Sequence, residues 1–131
     1  MKRLNRKVLL SVIAILICVT AAQAGNWKKL GARNVKHRTE RDVILVGAKE
    51  GTFKAIKLTV NKSGIHMLDM KVHFMNGDVI DVEIRNFIPA GGETRVIDLP
   101  GVNRRIEKVT FWYQSLKKRD KEARIRLWGK Q

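Results

Sequence analysis

On either side of Asn76-Gly77 the side chains alternate between apolar and polar with a period of two, which fits a strand and not a helix. His66, Leu68, Met70, Val72 and Phe74 fall on one face, with Met67, Asp69, Lys71 and His73 on the other. Ile80, Val82 and Ile84 alternate with Asp81, Glu83 and Arg85, and Ala123, Ile125 and Leu127 with Arg124, Arg126 and Trp128. One apolar and one polar face is the signature of an antiparallel sheet covered on one side. No long stretch after Ala24 has helical periodicity. Runs rich in Val, Ile, Phe and Tyr are instead split by Gly, Asn and Asp turns every 8–12 residues or so. Strands are expected near Lys29–Val35, Asp42–Val46, Phe53–Val60, His66–Met75, Val79–Arg85, Thr94–Leu99, Ile106–Gln114 and Ala123–Trp128. Such a series predicts an all-β, antiparallel two-sheet β-sandwich of jelly-roll type with about eight strands; a closed barrel is the alternative.

Parity constrains the hairpin at Asn76-Gly77. A two-residue loop sets Phe74 opposite Val79 and carries Asp81 and Glu83 onto the apolar face. A three-residue loop, Asn76-Gly77-Asp78, pairs Phe74 with Ile80, Val72 with Val82 and Met70 with Ile84. Because a slip of one residue exchanges the two faces, burial selects the odd loop.

Residues 1–24 read as an address rather than structure. Lys2, Arg3, Arg6 and Lys7 precede an apolar run from Val8 to Val19, which ends in Ala22-Gln23-Ala24. Charged start, short apolar core and small-residue exit make a secretory signal peptide, cleaved after Ala24. The run falls short of the roughly 20 apolar residues of a membrane span, so no transmembrane segment is expected after cleavage. Cys18, the one cysteine, lies in the signal core behind the bulky Ile17, which argues against lipidation. The expected product, residues 25–131, is one thiol-free domain in the periplasm or the secreted fraction. A disulfide-free exported domain fits a bacterial envelope.

Charge points to the partner class. Of 27 basic and 12 acidic residues, four basic and no acidic ones lie before Gly25, leaving 23 against 12 and a net +11. An anionic neighbour is expected: an anionic glycan, a lipid headgroup or an envelope protein. Nucleic acid is not expected.

Catalytic patterns are sparse. His66 and His73 are expected on opposite faces of one strand and His37 in a polar loop, so no metal site is expected. Ser63 and Ser115 sit in turn-like contexts without a nucleophile elbow. Gly91-Gly92-Glu93-Thr94 lacks the spacing and lysine of a phosphate loop. Asp81 and Glu83 are a formal glycosidase pair, but alternation places them on a solvated face. The expectation is a binding module, neither enzyme nor cofactor protein. A carboxylate-based hydrolase and a structural envelope protein are the alternatives.

Two features remain for ligand binding. Lys117, Lys118, Arg119 and Lys121 form a cationic loop, which the outward Arg124 and Arg126 continue. Trp112 falls with Lys108, Thr110 and Gln114 on the polar face of its strand, where an indole can stack on a sugar or an arginine.

Residues from Arg41 to Tyr113 carry a resemblance. Arg41-Asp42-Val43-Ile44, Val46-Gly47, Gly51-x-Phe53-x-x-Ile56, Asn76-Gly77, Ala90-Gly91-Gly92-x-Thr94-Arg95, Ile97-Asp98-Leu99, Gly101, Arg105-Ile106 and Val109-x-x-x-Tyr113 resemble an uncharacterised family of bacterial secreted proteins, YaaI-like and of unknown function. The strand series is also similar, at the level of fold, to galactose-binding-like jelly rolls. The resemblance implies a shared fold and no assigned activity. Arg41, Arg95 and Arg105 are its polar members, expected either in ion pairs with Asp42, Asp98 or Glu107 or lining a site.

Overall fold

A computed structural model describes residues 26–35, 39–101, 103–115 and 122–131. Nine antiparallel strands among them form two sheets. The four-stranded sheet runs β1 (Trp27–Val35), β9 (Ala123–Lys130), β3 (Ala55–Asn61), β7 (Ile97–Asp98). The five-stranded sheet runs β2 (Thr39–Leu45), β8 (Ile106–Ser115), β4 (Ile65–Phe74), β5 (Val79–Val82), with β6 (Asn86–Ile88) also paired to β4. This is the expected two-sheet β-sandwich. The extra strand arises because residues 83–85 leave the ladder, ending β5 early, before β6 rejoins β4. The expected strand Thr94–Leu99 shrinks to Ile97–Asp98. Thr94 serves β3 differently: its amide donates to the Leu58 carbonyl and its hydroxyl accepts from the Leu58 amide.

Alternation becomes packing between the sheets. Ile56, Leu58 and Val60 of β3 and Ile125 and Leu127 of β9 are fully buried, as are Met70, Val72, Val109, Phe111 and Tyr113 from the other sheet. Burying each such side chain contributes roughly 1.5–3 kcal/mol. The Tyr113 hydroxyl donates to Asp42 Oδ2 at 2.8 Å, so the ring is buried without an orphaned donor. One glycine sets how closely the layers approach, and a second makes room for core side chains beside its own strand. A Cβ on Gly31 would lie 2.5 Å from Ile44 Cγ2, and one on Gly129 would lie 2.5 Å from Phe53 Cδ1 and 2.8 Å from Leu30 Cδ1.

The β4–β5 hairpin keeps the expected parity but shifts its pairs. Met70 faces Val82, Val72 faces Ile80, and the Phe74 amide bonds to the Asp78 carbonyl. The loop is therefore Met75-Asn76-Gly77. Gly77, at φ 95°, takes the third position, where a three-residue hairpin needs a left-handed residue. Asp78 then starts the return strand, and its carboxylate reaches Arg104 Nη2 at 3.0 Å. The Arg104 guanidinium lies 3.8 Å over the Phe74 ring and also donates to the Pro100 carbonyl. One side chain thus ties the hairpin to Pro100.

The expected faces of β4 hold only from Asp69 onward. A bulge at Leu68, marked by the register shift between Met67 and Asp69, inverts the preceding half. Met67 is buried, His66 is exposed, and Leu68 is half-buried. His66 and His73 therefore share the outer face instead of opposing ones. They pair with Gln114 and Lys108, which places them about 20 Å apart along the strand.

Two stability outcomes follow. Gly129→Ala should lower unfolding free energy by about 1–3 kcal/mol through overpacking against Phe53. Adding Phe53→Leu should cost less than the sum of the single changes. Additive losses in urea unfolding would show that the glycine does not seat that ring. Arg104→Ala should cost about 1–2 kcal/mol, from the ring stack and the charged hydrogen bond. An unchanged urea midpoint would show that the tie carries no stability.

Candidate functional site

The residues expected to bind ligand do not share one surface. Trp112 lies in β8 at the centre of the five-stranded sheet, while Arg124 and Arg126 lie in β9 at the centre of the four-stranded one. Each points away from the core, so the indole and the two arginines occupy opposite outer faces of the sandwich. Adjacency in sequence brought them together; sheet order separates them. Lys117, Lys118, Arg119 and Lys121 lie outside the described residues.

The outer face of the four-stranded sheet gathers a different set. Register places Trp27 beside Lys130, Lys29 beside Trp128, Ala32 beside Arg126 and Asn34 beside Arg124. Across β9, Lys57 flanks Trp128, Thr59 flanks Arg126, and Asn61 flanks Arg124. The Trp128 indole donates to Thr59 Oγ1 at 2.9 Å, and Arg124 donates to Asn34 Oδ1 at 2.8 Å. Lys57 Nζ sits 4.5 Å over the Trp27 ring and 3.2 Å from Glu93 Oε2, so its charge is compensated. Among the described residues no carboxylate forms an ion pair with Lys29, Arg124, Arg126 or Lys130. The result is a flat basic surface with two half-buried indoles set in it. The sequence pattern already aligned Trp128 with Arg124 and Arg126. Trp27, Lys29, Lys57 and Lys130 join them only through pairing.

The opposite face is polar, charge-balanced and indented. Trp112 is flanked by Arg41 on β2 and Asp69 on β4, with Lys71 Nζ 5.8 Å from its ring. Lys71 in turn lies 3.9 Å from Asp81, so the carboxylate expected to pair with Glu83 is engaged on the sheet. Glu83 instead lines a cleft of about 510 Å³ with Asp69, Leu68, Ile84 and Arg85. A more open hollow of about 300 Å³ shares Leu68 and Arg85 and adds His66, Asn86, Phe87 and Gln114. Both exist because β4 bulges at Leu68 where residues 83–85 depart from it. Of the three family arginines, Arg95 donates to the Glu83 carbonyl at 3.0 Å. Arg41 and Arg105 are exposed and form no ion pair among the described residues. No group of three His, Cys, Asp or Glu side chains among the described residues is placed to hold a metal.

Comparison with known proteins places this geometry in a family. In fold, the chain is similar to AlgX of Pseudomonas aeruginosa, with a TM-score of 0.52 and 16% identity over 79% of this chain and 27% of that one. The chain thus spans about a quarter of the AlgX chain, and at this identity the likeness is one of fold alone. No curated protein sequence matches it. The family described as a domain of unknown function (DUF2541) matches residues 8–129, from the N-terminal apolar run into β9. On that match, this two-sheet sandwich belongs to the DUF2541 family.

Proposed function

We propose that the chain is an exported basic binding module that holds an anionic glycan on the outer face of its four-stranded sheet. The observation that carries this reading is the outward ladder of β9, Arg124-Arg126-Trp128-Lys130. Alternate residues of a strand recur about every 7 Å, so the ladder offers a linear polyanion repeated cationic contacts with an indole among them. Trp27 and Lys29 widen that track on the β1 side. Arginine suits carboxylate and sulfate groups because its planar fork donates two parallel hydrogen bonds. An indole covers the apolar face of a sugar ring at low entropic cost. Lipid headgroups and an acidic envelope protein present the same charge without the ring faces that the two tryptophans would cover.

Polygalacturonate should bind the purified protein at low salt and lose affinity steeply as salt rises, since surface charges are screened over about 8 Å at physiological ionic strength. Lys29→Glu with Lys130→Glu should weaken binding about tenfold or more. Both side chains are exposed, so stability should change by less than about 1 kcal/mol. Trp112→Ala, on the opposite face, should leave affinity unchanged. Equal loss in that variant, or preference for phosphatidylglycerol vesicles over the polyuronate, would count against this surface or this ligand.

Export rests on residues 1–24. The intact mass of protein recovered from the cell envelope should correspond to a chain beginning at Gly25. A mass retaining residues 1–24, or a lipid on Cys18, would refute processing after Ala24.

A further inference from the structure

We infer that the cleft between β4 and the β5–β6 break is a second site, for an uncharged, hydroxyl-rich glycan. Its position comes from a paired irregularity: β4 carries one extra residue at Leu68 while residues 83–85 give up their ladder bonds. Bulges of this kind re-aim side chains and recur beside binding sites. Together the cleft and its adjoining hollow, about 510 and 300 Å³, fall within the range of small-ligand sites.

The lining chemistry selects the ligand. Asp69 and Glu83 offer carboxylate oxygens, Arg85 offers a donor fork, and Asn86 and Gln114 offer amides that both donate and accept. Planar groups with two adjacent polar atoms match pairs of neighbouring hydroxyls, which also donate and accept. Two carboxylates stand against Arg85, with Arg95 bonded to the Glu83 carbonyl at 3.0 Å. The charges nearly cancel, so this site lacks the polyanion preference of the other face. A ring wall completes the adjoining hollow. Phe87 is 46% exposed and tilted against His66 with ring centres 5.0 Å apart, and both line it. Such rings cover the C–H face of a sugar. Part of the lining is held in place before any ligand arrives, since Asp69 Oδ1 accepts from the Met70 amide at 2.8 Å.

The test is an amide-resonance titration of the purified protein with cellohexaose, maltohexaose and chitohexaose in about 1 M sodium chloride, where charges are screened over about 3 Å. At least one probe should shift the amides of Leu68, Glu83, Arg85 and Asn86, leave those of β9 in place, and be recovered at full length. Phe87→Ala and Glu83→Gln should each weaken that binding about fivefold or more. Lys29→Glu with Lys130→Glu should not change it, which separates this site from the basic face. The inference is overturned if no probe shifts these signals at millimolar concentration, if the shifts map to β9, or if a probe is shortened.

Discussion

The antiparallel insertion of β9 between β1 and β3 is the constraint on which the four-stranded sheet depends. β1 has no other neighbour in that sheet, and its residues 27–35 pair with residues 123–130 across almost the whole described chain. The entropy of closing so long a loop is lost before any burial offsets it, as in other topologies rich in distant pairings. The register of this one strand also decides two unrelated matters at once. Inward, it sets Gly129 under Phe53 and Leu30, where any side chain would collide with them. Outward, it lines up two arginines, an indole and a lysine between the side chains of β1 and β3. A slip by one residue would bury the cations and expose the core, so fold and surface chemistry are specified by the same hydrogen bonds.

Local alternation was legible wherever a strand is regular. The inward sets of β5, β9 and the part of β8 from Val109 to Tyr113 match the period-two pattern, and the odd hairpin loop follows from burial alone; Ile106 is buried out of phase, across a second register shift at Glu107. The pattern failed where the backbone departs from that period. Leu68 looks like one more inward residue of β4, and nothing in its neighbours marks it as the bulge. Asn86-Phe87-Ile88 is too short to stand out as a strand, and it pairs because β4 offers a free edge there. Parity fixes the loop length but not its position: the loop lies one residue earlier than Asn76-Gly77-Asp78, because glycine takes the left-handed third position.

The candidate sites were legible residue by residue but not as groupings. Alternation showed that Trp112, Arg124 and Arg126 face outward. Which outward faces coincide is a property of strand order, and strand order is non-local. Among the described residues the two outer faces consequently differ in how charge is arranged. Lys29, Arg124, Arg126 and Lys130 share the four-stranded layer with no carboxylate paired to them, while the five-stranded layer interleaves both signs, with Lys71 against Asp81 and Arg85 near Glu83 beside the exposed Arg41.

The division of the aromatic residues between layers gives the protein a built-in pair of optical reporters. All three tryptophans lie on outer faces, two on the four-stranded layer and Trp112 on the five-stranded one. Their surroundings differ in ways that emission senses: an ammonium group over Trp27, a hydroxyl partner for the Trp128 nitrogen, and a carboxylate-bearing neighbour strand beside Trp112. Replacing Trp112 with phenylalanine leaves a molecule whose indole fluorescence comes from one layer alone, and replacing the other two leaves the complement. Events on the two sides of the sandwich can then be followed separately in the same solution, with no attached dye.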